Sequence, residues 1–287
     1  MALIDIFHRL LPPFLRPDIP VVPVVRLSGT IGMATPLRPG LMLSGTARTL
    51  ERAFAVRGAR AVALLINSPG GSPSQSHLIF RRIRSLAEEK KLPVYAFVED
   101  VGASGGYMLA CAADEIVCDP YSIVGSIGVV GGTFGFVDLM HKLGIERRVY
   151  TAGERKVMLD PFQPEKPEDV ARIKAIQADM HAHFIALVKA RRGSRLTGAD
   201  DTLFSGEFWT ADKAIELGLA DRIGDLRSAM RERFGPKVKL PLIEAERSFL
   251  GRRLAGVGLS PALTGAGLAD DLVSAAEARA LWSRYGL

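Results

Sequence analysis

Cysteine is nearly absent from this chain, whose 287 residues carry only Cys111 and Cys118. Two thiols within one short helix-to-strand passage make neither a disulfide framework nor a metal site, and they read as small buried hydrophobes. Tracts of a single charge are missing as well. The 37 basic and 31 acidic side chains leave a net charge of +6. The paired cations Arg81-Arg82, Lys90-Lys91, Arg147-Arg148, Arg191-Arg192 and Arg252-Arg253 are dispersed along the chain. No zinc-ligand spacing and no aromatic-interleaved basic stretch accompanies them, so nucleic acid is not the expected partner. The mild excess fits solvated faces, with some attraction for an anionic membrane surface. A long uninterrupted apolar run is also lacking. Residues 1–15 contain Asp5, His8, Arg9 and two prolines, which break a secretory apolar region. Residues 120–137 are uncharged, but five glycines and a proline among them fit a turn-rich buried β segment better than a membrane span. The chain is therefore expected to be soluble and cytoplasmic, without a signal peptide or a transmembrane helix. Leu3, Ile6, Phe7, Leu10 and Leu11, on a short amphipathic helix, provide for peripheral membrane contact.

What is present has the composition of a globular protein, with 48% hydrophobic and 24% charged residues. The length suffices for one large domain with appendages. Three segments are expected: an N-terminal amphipathic segment and linker over 1–18, a main domain over 19–240, and a Gly/Ala-rich appendage over 241–287. Within the main domain, 61–66 is a wholly apolar run, the mark of a strand buried on both faces. Strands are also expected over 19–27, 93–98, 114–118, 145–150 and 219–223. Helices are expected over 44–56, 73–90, 104–112, 136–143, 168–192 and 210–217. The helix over 73–90 has Leu78, Ile79, Ile83 and Leu86 as its apolar face. The long one over 168–192 has Ile173, Ile176, Met180, Phe184 and Leu187 as its stripe. Strands alternating with helices imply parallel pairing, hence the α/β class.

Two glycine turns carry the candidate chemistry. Val94-Tyr-Ala-Phe-Val98 leads through Glu99-Asp100 into Val101-Gly-Ala-Ser-Gly-Gly-Tyr107, which reads as strand, tight turn, helix. A serine in such a turn has its hydroxyl pushed off the sheet edge beside the free N–H groups of a helix start. One short segment then makes a nucleophile and half an oxyanion hole. The same Ser104 is also a ready helix N-cap. Asn67-Ser-Pro-Gly-Gly-Ser72 follows a strand too, and its paired glycines let backbone N–H groups face an anion. In a parallel sheet both turns fall at the carboxyl edge, where ligands bind. The pattern Gly102-x-Ser104-x-Gly106 formally matches a nucleophile elbow, which wants an acid and a histidine downstream. His141 lies in a helical pattern and His181 and His183 on the long helix, so they read as surface or packing residues and the triad signal is weak. Lys156 precedes the apolar Val157-Met-Leu159. A lysine whose ammonium is stripped of water can serve as a general base, although a lone lysine is more often a solvated cation.

Taken in order, Asn67-Ser-Pro-Gly-Gly-Ser72, Ala103-Ser-Gly-Gly-Tyr107, Ala113-Asp-Glu-Ile116, Gly125-Ser-Ile-Gly-Val129 and Gly153-Glu-Arg-Lys156 followed by Pro161-Phe162 form a co-ordered set. The chain resembles the signal peptide peptidase A family (SppA, with its SohB-like relatives), serine peptidases distantly similar in fold to Clp protease and crotonase. The likeness runs over residues 21–233. It implies an α/β fold of repeated β-β-α and βαβ units, with a largely parallel sheet flanked by helices. It also implies a Ser/Lys dyad that hydrolyses peptide bonds in unfolded or hydrophobic peptides, such as signal-peptide remnants. By the resemblance Ser104 is the nucleophile, Lys156 the general base, Ser126 the hydroxyl that orients Lys156, and Gly70 and Gly105 the oxyanion donors. No cofactor and no metal are implied. In the family, serine and lysine come from neighbouring protomers or neighbouring repeats. This chain holds one copy of each motif, so a homo-oligomeric ring, an octamer by that analogy, is implied. Many members begin with a membrane-spanning helix and this sequence does not. Two other readings stay open: a crotonase-type acyl-CoA enzyme, which would want a carboxylate at a catalytic turn, and a non-catalytic scaffold for a membrane partner. A hydrolase built on His141 is the least favoured.

Overall fold

The computed structural model describes residues 19–32, 40–153, 155–244 and 275–287. The expected N-terminal amphipathic helix, and residues 245–274 of the appendage, lie outside the described residues. Seven strands form one sheet. β1 (Val24–Ser28), β2 (Val62–Ser68), β3 (Val94–Ala103) and β4 (Glu115–Cys118) run parallel side by side. β5 (Ile123–Gly125) pairs in parallel with the far end of β3, β6 (Phe208–Thr210) lies antiparallel on β5, and β7 (Arg222–Ile223) is parallel to β4. This is the expected α/β class, with a largely parallel sheet.

Side chains alternate along a strand, so each strand feeds two cores. Val62, Leu64 and Ile66 of β2 and Val94, Ala96 and Val98 of β3 face one. Ala63, Tyr95 and Phe97 face the other. Helices α1 (Leu43–Phe54), α2 (Pro73–Lys90) and α3 (Gly105–Ala110) contribute to the first core. Leu64, Ile66, Ile79 and Ile83 are fully buried there, and each such side chain contributes roughly 1.5–3 kcal/mol of transfer free energy. α2 starts at Pro73, with the Ser72 hydroxyl accepting from the Gln75 N–H, and stops at Lys91, held at φ 54°. Its apolar face is the expected one except at Leu78, which is 43% exposed. Helix α4 (Val137–Leu143) buries none of its residues. The long α5 (Pro167–Arg192), the short α6 (Asp200–Leu203) and α7 (Ala211–Glu216) return the chain to the first core, and α8 (Leu226–Phe234) covers the second.

Four departures from the sequence expectations stand out. β3 does not stop at Val98 but continues to Ala103, because Val101, Gly102 and Ala103 find a new partner in β5. Residues 145–150 form no strand. They are exposed throughout, so their β-branched and aromatic side chains have no ladder to join. The stripe expected on α5 is only partly buried: Ile176 is 36% and Met180 44% exposed, and the buried residues are Phe184, Val188 and Arg192. Only the last turns of that helix reach the core. The expected strand over 219–223 shrinks to the two residues of β7.

Arg192, 3% exposed, is a buried charge whose needs are met. It donates to Asp221 Oδ2 at 2.8 Å and Oδ1 at 2.9 Å and to the Gly218 carbonyl at 2.8 Å. Asp221 also accepts the Ile116 N–H at 2.7 Å, which ties α5 to β4. Burial alone would raise the Asp221 carboxyl, but the Arg192 guanidinium and the Ile116 N–H outweigh it and hold the carboxyl below its usual range. At the opposite edge, Val22 and Val24 donate to the carbonyls of Lys239 and Pro241, and Ile243 donates back to Val24, so residues 239–243 are tied to the edge of the sheet.

Candidate active site

Ser104 sits where β3 becomes α3. The strand pairing places Gly102 beside Val124 and Ala103 beside Gly125, and the Ser104 N–H donates to the Gly125 carbonyl at 2.8 Å. The backbone then reverses at Ser104 with φ 52° and ψ −121°. A side-chain-bearing residue held there costs on the order of 1–3 kcal/mol. The surrounding sheet and helix supply that. Ser104 occupies the N-cap position of α3, yet its side chain makes no capping hydrogen bond. The hydroxyl that an ordinary N-cap would spend on the helix is therefore free.

Two glycines let the neighbouring turn close on this serine. A Cβ on Gly70, whose φ is +95°, would lie 2.8 Å from the Gly105 nitrogen and 2.9 Å from the Ser104 Cβ. A Cβ on Gly106 would lie 2.3 Å from the Ser68 carbonyl oxygen. The two strand-end turns thus converge, backbone against backbone. The turn after β2 is braced by Asn67, which donates to Asp100 and accepts the Val101 N–H at 3.3 Å. The Gly105 N–H, at the first helical position, has no acceptor within the helix. The Gly70 N–H donates to the Ser68 hydroxyl at 3.2 Å, a long bond that an incoming oxyanion would have to displace.

Ser126 follows β5, is 6% exposed, has φ 52°, and donates its N–H to the Glu207 carbonyl at 2.6 Å. It shares with Ser104 a cavity of about 300 Å³, lined also by Gly128, His181, Ser205 and Arg284. The structure therefore brings Ser104, Ser126, Gly70 and Gly105 together. Lys156 is elsewhere. It is exposed, sits in a turn closed by its own N–H on the Gly153 carbonyl at 3.1 Å, and is not among the residues that line the cavity. The segment that carries it, residues 130–166, shows large apolar side chains to solvent: Phe134 is 77%, Leu143 63% and Tyr150 90% exposed. His141 is on the same segment, on the exposed α4. Neither cysteine competes for the nucleophile's role, since burial pushes both thiols up to about 12.

Two further residues line this cavity: His181, read from the sequence as a surface or packing residue, and Arg284, which that reading did not single out. His181 donates from Nε2 to the Ile127 carbonyl at 2.9 Å, which pins the turn that follows Ser126. Its signal is its spacing: His181 precedes the buried Phe184, Val188 and Arg192 at intervals of three and four, on the same face of α5, and is itself part-buried. Arg284 belongs to the segment read as an appendage, and nothing local marked it.

Several comparisons with known proteins bear on this arrangement. The profile of peptidase family S49 matches residues 86–234. A protein of Brucella abortus named Na(+)/H(+) antiporter NhaA is 55% identical over 292 aligned positions, which cover 100% of this chain and 40% of that protein. A candidate protease of Synechocystis is 31% identical, with 76% of this chain and 80% of that protein aligned. The chloroplastic serine protease SPPA of Arabidopsis thaliana is 32% identical over 83% of this chain and 37% of its own length. Among solved structures, a membrane-bound stomatin-specific protease in a serine-to-alanine form aligns with 79% of this chain and 96% of its own, at 16% identity and a TM-score of 0.47. The chain spans two fifths of the length of the Brucella protein whose name is that of an antiporter. Among the described residues no helix is long and apolar enough to cross a membrane.

Proposed function

Because the chain belongs to peptidase family S49, we propose that it is a serine endopeptidase working through a Ser/Lys dyad on unfolded or hydrophobic peptides. Ser104 is the nucleophile, Lys156 the general base, Ser126 the hydroxyl that orients the lysine, and Gly70 and Gly105 the oxyanion donors. The observation that carries this reading is Ser104 itself, strained at φ 52°, its hydroxyl unspent, opening into a cavity with Ser126.

In the reaction, the neutral amine of Lys156 takes the Ser104 proton as Oγ adds to the peptide carbonyl. The resulting oxyanion accepts the N–H groups of Gly70 and Gly105. The C–N bond then breaks, the lysine ammonium returns its proton to the leaving amine, and an acyl-enzyme remains. Water, deprotonated by the same amine, adds to the acyl carbonyl, the C–Oγ bond breaks, and the lysine ammonium returns the proton to Ser104 as the acid leaves. Lys156 reaches Ser104 from a second copy of the chain in this proposal. The exposure of Phe134, Leu143 and Tyr150 around it supports such a contact, since apolar surface of that kind is favourably buried.

Hydrolysis of an unfolded protein by the parent, Ser104→Ala and Lys156→Ala tests the dyad. Activity kept by both variants would remove it.

A further inference from the structure

Residues 282–287 form a closed hook against the nucleophile's own strand. The Tyr285 N–H donates to the Trp282 carbonyl at 2.9 Å, the Gly286 N–H to the Ser283 carbonyl at 3.1 Å, and Gly286 turns the chain at φ 77°. Tyr285, 7% exposed, packs on Val101 and Ala103, the latter adjacent to Ser104. Its ring meets Phe208 edge-on at 5.0 Å. The anchor is thus built of buried aromatic and strand residues, and it holds Arg284 at a defined place in the wall of the Ser104 cavity.

Arg284 has no recorded use there. Among the described residues no carboxylate pairs with it, and no acidic side chain lines the cavity. The cavity is otherwise lined by Ser104, Ser126, Ser205, His181, Val129, Val130 and glycine backbone. About 300 Å³ stays open beside the nucleophile, so the hook walls the cavity without filling it. An arginine on the wall of an open space that also holds three serines, with no partner among the described residues, is suited to bind a carboxylate from outside, by paired charge-assisted hydrogen bonds.

We propose that Arg284 is a specificity-determining residue, presented by the 282–287 hook, which selects peptides that carry a carboxylate near the bond held at Ser104. The carboxylate is an Asp or Glu side chain, or a peptide's own C-terminus. This rests on the peptidase reading above and narrows its substrate class.

Binding and hydrolysis separate the two claims. Binding is measured with Ser104→Ala protein and fluorescein-labelled apolar octapeptides that differ at one internal position, Glu, Gln or Lys, all amidated. A Gln peptide with a free C-terminal carboxylate distinguishes the second source. The Glu peptide is expected to bind about ten-fold more tightly than the Lys peptide, with the ratio shrinking at about 0.5 M salt. Adding Arg284→Ala should bring the ratio close to one, Arg284→Glu should invert it, and Arg284→Lys should keep its direction. A ratio that Arg284→Ala leaves unchanged, or a parent protein indifferent to charge, overturns the inference. The ratio is internal to each protein, so partial misfolding does not mimic the result. Cleavage of the same peptides by protein with Ser104 intact reports separately on the peptidase reading.

Discussion

Ser104 and Lys156 occupy surroundings with almost nothing in common. Around Ser104, β2, β3 and β5, the start of α3 and two glycine turns pack so closely that Gly70 and Gly106 have no room for a Cβ. Around Lys156, α4 buries no residue and residues 145–150 lie exposed in no sheet. One half of the proposed dyad is finished within the chain, down to a strained backbone angle. The other half stands on a segment whose aromatic contacts, such as Phe136 on Phe162 at 5.5 Å, stay within the segment, while Phe134, Leu143 and Tyr150 remain exposed. In the proposed reading one event answers both: a second copy that covers the arm would bring the lysine to a serine.

The largest expected effect tests that pairing directly. Ser104→Ala and Lys156→Ala should each lower kcat by at least about 10⁴-fold, as losses of groups acting as a unit do. Co-refolding the two inactive variants in equal amounts should then restore activity to roughly a quarter of the parent, if serine and lysine come from neighbouring copies related head to tail. No recovery would place the dyad within one chain or nowhere.

Gly70→Ala probes the finished half. The added methyl, forced onto Ser104 at a positive φ, should displace the oxyanion donor and reduce kcat about 100- to 1,000-fold, with KM much less affected. Steady-state kinetics decide it.

Stability measurements should divide the two regions. Asp221→Asn leaves the buried Arg192 without its counter-charge and should destabilise by about 3–5 kcal/mol at neutral pH, read by denaturant unfolding. The sign with pH follows from the lowered Asp221 carboxyl. Its stabilising contribution is complete above its unfolded pKa of about 3.9 and is lost as the pH falls through the lower folded value. The parent should therefore lose stability on acidification through that window, and Asp221→Asn should lack this component. The smallest thermal effect is expected on the arm. Leu143→Asp with Tyr150→Asp should move the unfolding midpoint by no more than about 2 °C, as exposed substitutions do, yet shift the protein to monomer in light scattering and abolish hydrolysis. An equally active monomer would undo the comparison.

Much of the buried half was legible beforehand. The apolar run over 61–66, the helical pattern over 73–90 and the glycines around Ser68 and Ser104 each state a local requirement that few local geometries meet. Ser126 was reached through resemblance, and it lines the same cavity as Ser104. What misled was pairing. Residues 145–150 have strand-like side chains, but a strand exists only beside another strand. The stripe on α5 was read from the whole helix, whereas only its end meets the core. His181 was written off although it shared the spacing of Phe184, Val188 and Arg192.

From sequence alone, the chain determined most of the buried strands, the two glycine turns and the helices, because φ preference and the burial of apolar runs are decided within a few residues. Tertiary structure alone decided the rest. It extended β3 through Gly102 onto β5, freed the Ser104 hydroxyl from capping duty, and brought Arg284 from a distant segment into the wall beside Ser104. Each of these depends on a partner far away in the chain, and no local pattern encodes which distant surface will be there to meet it.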